Sequence, residues 1–445
     1  MGQLFGTDGI RGRANTYPMT CDLAMKTGQA VGILTQTSSN GCVIIGRDTR
    51  VSGQMLESAL AAGIASVGVD VMIAGVIPTP GVAYLSSTIE SCGAGIMISA
   101  SHNPYYDNGI KIFQKGGIKL SDGQEDDLEN MILGPPIDLP SKIGIIESAD
   151  DAQAKYARFL VKKFNFPQKQ RKLKLVIDTA NGAASFCAPE IFTSDIFDVS
   201  FIHNQPNGTN INKDCGSQHT KDLSDHVKKG NADAGLAFDG DADRLIAVDE
   251  AGQQITGDTV LAILSGFAKQ TGKLDNNIVV STVMSNVGLG NTLAQLGIRH
   301  EITGVGDRKV LERMKETGAL IGGEDSGHMI FLDEQTTGDG VLSALKLIEV
   351  MRATEKPLSE LAKVMTVYPQ VLINVEVDAS RPDFMKVPMV ADAIKAVESQ
   401  LGSQGRVLVR YSGTQPLLRV MVEGPEEDLT RQCCEKICAA VRKSL

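Results

Sequence analysis

The sequence predicts an α/β protein of several domains, on three observations. Apolar runs of strand length alternate with segments of helical periodicity along most of the 445 residues, which is typical of layered α/β domains. Tryptophan is absent and aromatic residues make up only 4% of the chain, so we expect aliphatic cores, as in Val- and Ile-rich sheets. Three segments also share one layout, in which a glycine-rich polar loop follows an apolar run.

Breaks in this pattern divide the chain into four predicted domains, within the two to four that its length allows. Three α/β domains are predicted over residues 1–147, 148–250 and 251–366. Prolines 135, 136 and 140 mark the first boundary. The last domain, 367–445, is smaller and is predicted to be α+β, with a more antiparallel sheet.

The first predicted domain contains strands over 42–45, 71–74, 94–98 and 109–113, and helices over 53–67, 80–88 and 121–133. The apolar face of the helix over 53–67 comprises Leu56, Leu60, Ile64 and Val67. Ser121 and Gln124 have the spacing of a capping box, which predicts the start of the third helix.

The later domains continue the alternation. In the second, a helix is predicted over 149–164 and strands over 173–177, 234–238 and 245–248. In the third, helices are predicted over 258–270, 307–316 and 340–351, and strands over 278–283 and 329–332. In the fourth, strands are predicted over 371–377, 407–409 and 417–422, and helices over 388–401 and 426–443.

Composition excludes several functional classes. A net charge of −10 disfavours nucleic-acid binding, which depends on neutralising phosphates with Lys and Arg. No apolar run approaches membrane-spanning length, and the first residues resemble neither a signal peptide nor a myristoylation site. We therefore expect neither a nucleic-acid partner nor a membrane partner.

The eight cysteines are scattered and form no Cys-x-x-Cys pair, which disfavours zinc and thioredoxin-like sites. This usage suits a reducing compartment, so we expect a cytoplasmic protein. A Gly-x-Gly at 288–290 lacks the third glycine of a dinucleotide fingerprint, because Leu293 stands there.

The stretch over 95–113 carries the first group of reactive side chains. An apolar strand ends in a loop with Ser101 and His102, and Lys111 follows on the next predicted strand. Ligands of open α/β sheets bind at such strand ends, where a serine can act as a nucleophile or phosphate carrier. The alternative is a polar loop whose side chains cap backbone groups.

Asp239, Asp241 and Asp243 alternate with small residues in one short loop. Three carboxylates this close repel one another unless a hard cation lies between them. A calcium EF-hand is excluded because Arg244 occupies the position that needs glycine, and because strands flank the loop. Magnesium fits better, since it takes few carboxylates and accepts a phosphate oxygen as a further ligand.

Two further loops offer groups for a sugar phosphate. Arg410 and Arg419 flank the hydroxyl and glycine residues Ser412, Gly413 and Thr414, a set that suits a phosphate monoester. A β-turn with surface arginines is the alternative. Glu324 and Ser326 lie among glycines, where they are placed to bind sugar hydroxyls, and His328 is a candidate for proton transfer. A lone histidine is more often structural.

These loops, taken in order, resemble the motifs of the α-D-phosphohexomutases. The resemblance rests on Ser101-His102-Asn103-Pro104, the loop over 239–244, the loop over 323–328 and the loop over 410–414, and it covers the whole chain, including the charged glycine-rich loop over 5–12. Within that family, the segments 101–111 and 305–308 are most similar to the bacterial phosphoglucosamine mutases.

The resemblance implies a four-domain, heart-shaped molecule with a central cleft, made of three similar α/β domains and a smaller α+β domain. It implies that Ser101 carries a phosphoryl group and that Mg²⁺ is held by Ser101, Asp239, Asp241 and Asp243. The substrate-binding residues that it implies are His102, Glu324, Ser326, Arg410, Ser412, Gly413, Thr414 and Arg419. The catalytic residues that it implies, beside Ser101, are Arg11, Lys111, Arg244 and His328.

The implied reaction interconverts glucosamine 6-phosphate and glucosamine 1-phosphate, with glucosamine 1,6-bisphosphate as intermediate and activator, and feeds UDP-N-acetylglucosamine synthesis. The implied partner is a small hexosamine phosphate, and the protein is expected to be a monomer or homodimer. Two residues depart from the family pattern: Gln415 replaces a usual Glu, and Asp325 replaces a usual Gln or Met. The alternatives are a phosphomannomutase or phosphoglucomutase, and a non-catalytic sugar-phosphate sensor.

Overall fold

The structure is a computed structural model that describes residues 3–6, 8–38, 41–164, 171–193, 195–378, 382–411 and 417–444. Its contacts group into two compact units. The first comprises Met1–Met284 with Ile298–Lys363, and the second comprises Ser285–Gly297 with Val364–Leu445. The first unit contains three sheets and the second contains one.

The first sheet has eight strands in the order β1-β2-β6-β5-β3-β4-β8, with β7 beside β6. Its strands are β1 (Phe5–Gly6), β2 (Gly9–Arg13), β3 (Cys42–Arg47), β4 (Val71–Val76), β5 (Cys92–Ile98), β6 (Asp107–Gln114), β7 (Ile118–Lys119) and β8 (Ile146–Ser148). Its helices are α1 (Cys21–Ser38), α2 (Gly53–Ser66), α3 (Thr79–Thr88) and α4 (Asp122–Leu133). The strands β5, β3, β4 and β8 are parallel, and β6 returns antiparallel to β5.

The core of this sheet is aliphatic, as the composition predicts. The predicted helix face becomes the buried face of α2, where Leu56, Leu60 and Ile64 pack against the strands. The capping box is also confirmed: the Ser121 side chain accepts from the Gln124 backbone amide at the start of α4. Helix α1 was not predicted, although it makes up much of one side of this layer.

The second sheet has the order β10-β9-β11-β12-β13. Its elements are α5 (Ala152–Lys163), β9 (Leu173–Asp178), α6 (Ala184–Ile191), β10 (Phe197–Ile202), α7 (Lys221–Gly230), β11 (Ala234–Phe238), β12 (Leu245–Asp249) and β13 (Gln254–Ile255). Strands β10, β9 and β11 are parallel, and β12 returns antiparallel to β11.

The third sheet repeats this arrangement in the order β15-β14-β16-β17. Its elements are α8 (Gly257–Gln270), β14 (Ile278–Thr282), β15 (Arg299–Thr303), α10 (Asp307–Thr317), β16 (Ile321–Gly323), β17 (Met329–Phe331), α11 (Gly340–Thr354) and α12 (Leu358–Ala362). Strands β15, β14 and β16 are parallel, and β17 returns antiparallel to β16.

The second unit contains an antiparallel three-stranded sheet in the order β18-β20-β19. Its elements are α9 (Val287–Gln295), β18 (Gln370–Glu376), α13 (Pro388–Leu401), β19 (Arg406–Tyr411), β20 (Leu417–Glu423) and α14 (Glu427–Ser444). Helix α9 precedes β15 in sequence, yet its first turn contacts the C-terminal chain: the Val287 amide donates to the buried Glu423 carboxylate at 3.0 Å. The predicted antiparallel character of the last domain is confirmed.

Within the described part of the chain, no helix is long and apolar enough to cross a membrane.

A buried carboxyl joins two helices of the first unit. Asp339 precedes α11 and accepts from the Leu342 amide at 2.8 Å, while the Tyr156 hydroxyl of α5 donates to both of its oxygens at 3.0 Å. Burial raises the pKa of Asp339 from 3.8 to about 6. Between these two values the folded chain therefore holds a proton that the unfolded chain has released.

We expect this proton to make the folded state less stable as the pH rises from about 4 through 6, by about 3 kcal/mol at most. Asp339→Asn carries no ionisable group and still caps the helix, so it should lose that part of the slope. Urea unfolding at four pH values in this window, for both proteins, measures the difference. Equal slopes for the two proteins would contradict the assignment.

Candidate active site

Three of the sequence-predicted loops occupy the same position in three successive sheets. We call residues 99–106 the serine loop, 239–244 the aspartate loop and 324–328 the glutamate loop. Each follows a parallel strand and leads into its antiparallel neighbour: β5 to β6, β11 to β12, and β16 to β17. This common position explains the shared layout seen in the sequence.

The serine loop contacts the aspartate loop directly. The Ser101 Oγ donates a hydrogen bond to Oδ2 of Asp239 at 2.6 Å and lies 3.3 Å from Nδ1 of His102. Ser101 is only 1% exposed and has a φ of 53°, in the left-handed region that is unfavourable for residues with a Cβ. Strained, buried residues of this kind concentrate at functional sites.

Arg50 holds the serine loop in this conformation. Its side chain is fully buried and pairs with Asp48 through Nε at 2.8 Å. The two terminal nitrogens donate to four backbone carbonyls of the loop and of the strand that follows it, those of Ser101, Asn103, Pro104 and Asp107. Asp48 also accepts from the Ser99 hydroxyl at 2.7 Å, so one ion pair supports both sides of the loop.

The second sheet supports the serine loop from the other side. Nδ2 of Asn212 donates to the Ser101 carbonyl at 2.8 Å and to the Asn103 carbonyl at 3.0 Å. A Cβ on Gly240 would lie 2.6 Å from the Ser101 carbonyl oxygen, so the aspartate loop needs glycine there for the two loops to approach. The alternation of Asp and small residues in the sequence thus has a packing reason.

The three carboxylates of the aspartate loop are buried and converge. Asp239, Asp241 and Asp243 are at most 3% exposed and each offers an oxygen within 4.8 Å of the others. The Oδ1 atoms of Asp241 and Asp243 accept no hydrogen bond from any residue that the structure describes. Orphaned carboxylate oxygens of this kind fit a hard, oxygen-seeking cation.

Cationic side chains partly compensate this charge. The Nζ of Lys111 lies 2.8 Å from Asp241 and 3.2 Å from Asp243, and the Thr79 hydroxyl donates to Asp241 at 2.5 Å. Burial opposes a charge on Lys111, but the surrounding aspartates raise its pKa well above the ordinary value, so the amine is protonated. Burial and the charges of Asp243 and Asp241 raise the pKa of Asp239.

His102 has the opposite environment. Burial and the nearby charges of Arg244 and Arg11 lower its pKa to about 4, so the imidazole beside Ser101 is neutral at neutral pH. The guanidinium of Arg244 lies within 4.0 Å of Asp239 and 3.7 Å of Asp243. The site therefore combines a neutral imidazole with fixed positive charges around the hydroxyl.

The glutamate loop is tied to the aspartate loop through its backbone. Arg244 and His328 form a β-bridge, and the Leu245 amide donates to the Gly327 carbonyl at 3.0 Å. Oε1 of Glu324 accepts from the Gly306 amide at 3.1 Å. A cavity of about 370 Å³ lies beside both loops, lined in part by Arg11, Asp243, Arg244, Asp307, Glu324 and His328.

Three buried polar atoms of the glutamate loop lack a hydrogen-bond partner among the described residues. They are the Ser326 hydroxyl oxygen and both ring nitrogens of His328. Nε2 of His328 lies 3.6 Å from the Asp307 carboxylate. Lys119 bridges Asp307 to Asp8, and thereby connects the N-terminal loop to the start of α10.

The fourth predicted loop belongs to the second unit. Arg410 and Arg419 are paired residues on β19 and β20, so their side chains share one face of that sheet. Ser412, Gly413 and Thr414, together with Gln415, lie outside the described residues. Their predicted role in phosphate binding stays a prediction.

The structure brings most predicted residues of the first unit together, and it adds some that sequence reasoning missed. Ser101, His102, Lys111, Arg244 and the three aspartates lie in direct or near contact, with Arg11, Glu324 and His328 around the adjoining cavity. The missed residues are Asp8, Asp48, Arg50, Thr79, Lys119 and Asn212. The charged loop after the strand over 42–45 was the one available signal for Asp48 and Arg50.

Comparison with known protein families matches nearly the whole chain. The models for phosphoglucomutase/phosphomannomutase match as four consecutive parts: α/β/α domain I over residues 2–134, domain II over 154–252, domain III over 256–368 and the C-terminal domain over 372–440.

Individual relatives agree with this match. The chain is 56% identical over 463 aligned residues, covering 100% of both chains, to a phosphoglucosamine mutase of Desulforapulum autotrophicum. A Burkholderia thailandensis phosphoglucomutase/phosphomannomutase family structure superposes with a TM-score of 0.82 at 23% identity, covering 98% of this chain and 96% of the other. An Aspergillus fumigatus N-acetylphosphoglucosamine mutase, solved with GlcNAc-6P and magnesium, gives 0.68 at 17% identity, with 99% and 96% covered.

Proposed function

The chain belongs to the phosphoglucomutase/phosphomannomutase family, the α-D-phosphohexomutases, and from this premise we propose that it acts as a phosphoglucosamine mutase. The reaction interconverts glucosamine 6-phosphate and glucosamine 1-phosphate. Phospho-Ser101 gives its phosphoryl group to the free hydroxyl of the substrate, and the resulting 1,6-bisphosphate turns around and returns its other phosphate to Ser101. The full-length relative at 56% identity supports the choice of a hexosamine phosphate.

One observation carries the assignment of Ser101 as phosphoryl carrier: its hydroxyl is 2.6 Å from a carboxylate of the buried aspartate triad. A phosphoryl group on this oxygen would lie beside the three carboxylates and would need charge neutralisation there. Lys111 and Arg244, both within 4.0 Å of triad carboxylates, supply part of that positive charge. A serine in an ordinary capping loop has no need of such surroundings.

We assign the metal site to Asp239, Asp241 and Asp243, with a phosphate oxygen on Ser101 as a further ligand. The fit rests on the two orphaned oxygens and on mutual repulsion among the carboxylates. A bound Mg²⁺ would neutralise charge that develops on the transferring phosphoryl group. Oxygen-only donors favour magnesium over softer metals.

Proton transfer is divided between His328 and Lys111. Because Lys111 is protonated among the aspartates, we assign it to hold a proton near the Ser101 oxygen when that oxygen is the leaving group. Both ring nitrogens of His328 lack a hydrogen-bond partner among the described residues, and the residue lines the cavity, so we assign His328 to accept the proton of the sugar hydroxyl. Arg11 and Arg244 contribute fixed charge beside the same cavity.

Substrate contacts are assigned to the remaining loops. Glu324 and Ser326 bind sugar hydroxyls, His102 lies beside the transferred group, and Arg410, Arg419 and residues 412–414 bind the phosphate that does not react. The bisphosphate intermediate must place each of its two phosphates at Ser101 in turn. At each stage one phosphate lies at the metal loop and the other at the anion-binding loop. The cytoplasmic location and the monomeric or dimeric state stay predictions.

A comparison of substrates tests the proposed function. The purified protein, with Mg²⁺ and a catalytic amount of glucose 1,6-bisphosphate, is given glucosamine 6-phosphate, glucose 6-phosphate or mannose 6-phosphate, and products are followed by ³¹P NMR. We expect kcat/KM for the amino sugar to exceed both others by about 10-fold or more, equivalent to about 1.4 kcal/mol of transition-state discrimination. A faster neutral hexose phosphate would instead identify a phosphoglucomutase or phosphomannomutase.

Absence of turnover on all three sugars, together with an unphosphorylated Ser101 peptide in the mass spectrum, would identify a sugar-phosphate sensor. An enzyme of the proposed kind should carry a phosphorylated fraction at Ser101 as purified.

Removing divalent cations with EDTA is expected to abolish turnover, and added Mg²⁺ should restore it.

Asp243→Asn should weaken Mg²⁺ binding by about 10-fold or more, because it removes one of the converging carboxylates. Calorimetric titration with Mg²⁺ measures this independently of turnover. The matched control is Asp225→Asn, an exposed carboxylate on α7 that pairs with Lys221, which should leave binding unchanged. Full Mg²⁺ affinity in the Asp243 variant would show that the metal does not bind at the aspartate loop.

Gly338→Ala is expected to reduce kcat by misplacing His328. A Cβ at Gly338 would lie 2.3–2.5 Å from three atoms of the imidazole ring, so the ring must move. Displacement of a reacting group by about 1 Å can cost on the order of 10²-fold in rate. We expect a loss of that order in kcat and a smaller change in KM, measured by steady-state kinetics.

The matched control is Gly123→Ala at the start of α4, where an added Cβ meets no atom within 4 Å. That variant should retain normal kinetics and a melting temperature no lower than that of the parent. If Gly338→Ala keeps full kcat while remaining folded, the imidazole position is not important for the reaction.

A further inference from the structure

Two cysteines lie side by side on adjacent strands of the first sheet. They are at the ends of the strands opposite to the serine loop. Cys42 begins β3 and Cys92 begins β5, and they are paired residues on these adjacent parallel strands. Neighbouring strands lie about 4.8 Å apart, and Cα separations of about 4.4–6.8 Å suit a disulfide. The register therefore places the two Cα atoms at a separation that suits a disulfide.

The local backbone is irregular at this pair. The register shifts directly after Cys42, because Val43 pairs with Ala94 rather than with the residue next to Cys92. An irregularity of this kind disrupts the hydrogen-bond ladder locally and bends the strand. The regular ladder of the two strands therefore begins after the cysteine pair, at Val43 and Ala94.

The surroundings give the two thiols different reactivity. Cys42 is partly exposed at a cavity of about 550 Å³, whereas Cys92 is 1% exposed behind it. Sγ of Cys42 lies 3.5 Å from Sδ of Met72. The neighbouring Cys92 thiol lowers the pKa of Cys42 to about 7, and Cys42, together with burial, raises the pKa of Cys92. The Cys92 thiol itself donates to the Ala94 carbonyl at 3.1 Å.

We propose that Cys42 and Cys92 form a dithiol site that hydrogen peroxide oxidises to a disulfide. The Cys42 thiolate attacks one peroxide oxygen, the O–O bond breaks, and Cys42 becomes a sulfenic acid while hydroxide leaves. The Cys92 sulfur then attacks the Cys42 sulfur and displaces the second hydroxide as the S–S bond forms. The thiol protons join the two hydroxides, so two thiols lose two electrons and one peroxide becomes two waters.

Another thiol pair in the chain lacks one part of this arrangement. Cys434 and Cys438 lie one turn apart on α14, but both are fully buried in the core of the second unit. Cys21 is exposed at the start of α1 and reports accessibility alone. If peroxide oxidises Cys42 selectively, the reaction therefore requires both an accessible thiol and a second thiol beside it.

Peptide mapping of the full-length protein tests the proposal. The folded protein is treated with one equivalent of hydrogen peroxide, denatured, alkylated with iodoacetamide and analysed by mass spectrometry. We expect a linked peptide pair joining Cys42 to Cys92, lighter by two hydrogens than the sum of its parts. We also expect alkylation of the other six of the eight cysteines. Alkylation of Cys42 and Cys92 after peroxide treatment, with Cys21 oxidised instead, would overturn the proposal.

Two variants separate the steps. Cys92→Ser should stop the reaction at a Cys42 sulfenic acid that dimedone traps, and Cys42→Ser should leave Cys92 unreactive. If Cys92→Ser does not fold, the parent protein decides alone: a dimedone adduct that accumulates on Cys42 without a disulfide contradicts the role of Cys92. The dithiol chemistry is independent of the mutase reaction proposed above.

Discussion

Replacing Ser101 with alanine is expected to lower mutase turnover by about 10⁴-fold or more, even with added sugar 1,6-bisphosphate. In the proposed reaction the bisphosphate rephosphorylates Ser101, and a methyl group in its place cannot accept a phosphoryl group. The variant should remain folded, since the loop keeps the bonds from Arg50 and Asn212 to the Ser101 carbonyl and loses only the hydroxyl bond to Asp239. Coupled kinetics measure the loss of turnover, and an intact-mass measurement shows whether the variant still carries a phosphoryl group.

Two hydroxyl controls make the result specific. Ser58→Ala removes an exposed hydroxyl on α2 that bonds its own helix and should leave turnover unchanged. Thr79→Val removes the second hydroxyl that contacts the triad; we expect it to lower turnover by less than about 10²-fold, with Ser101 still phosphorylated. A Ser101→Ala variant with near-normal turnover, or phosphate on Thr79, would transfer the carrier role away from Ser101.

Arg50→Lys is expected to lower kcat by on the order of 10²-fold, although Arg50 touches no part of the proposed substrate. A single ammonium group cannot span the four carbonyls that the guanidinium reaches. The left-handed Ser101 would then relax, and its hydroxyl would move away from Asp239. Because the proposed sugar contacts lie on other loops, KM should change much less than kcat.

The matched control is Arg171→Lys, which alters an exposed guanidinium paired with Asp233 and should change neither kinetics nor melting temperature. Metal affinity separates a local effect from general unfolding: Mg²⁺ binding to Arg50→Lys, measured by calorimetry, should stay within about threefold of the parent, since the aspartate loop keeps its own contacts. Equal losses in kcat and Mg²⁺ binding would point to collapse of the whole site.

The sequence was sufficient where chemistry is concentrated in a short segment. The three aspartates fall in a single loop with two small residues between them, so their convergence follows from local geometry. The same holds for the strand that ends at Ser101. Partners that come from distant parts of the chain could not be predicted in this way: Arg50 reaches carbonyls more than fifty residues away, and Lys119 joins Asp8 to Asp307.

Helix α1 shows a second limit. Gly28 lowers the helical propensity of this segment, and although the Thr20 hydroxyl caps the first turn by accepting from the Leu23 amide, no basic residue lies in the last turn. In the structure the glycine permits close packing, since a Cβ there would lie 2.3 Å from the Leu60 carbonyl oxygen of α2. Contact between helices therefore stabilises a segment that appears weak when its own residues are considered alone.

Helix α9 has a consequence for how the chain is made. During synthesis its residues leave the ribosome well before the segment that contains Glu423, whose carboxylate accepts from its first turn. The nascent helix therefore lacks this hydrogen-bond partner at first. It also lacks the backbone of Tyr368, which forms hydrogen bonds with Asn286 and is synthesised later than the helix. A recombinant fragment that stops before residue 364 would therefore contain α9 without Tyr368 and Glu423, the hydrogen-bond partners at the N-terminal end of the helix. We expect such a fragment to aggregate when it is expressed.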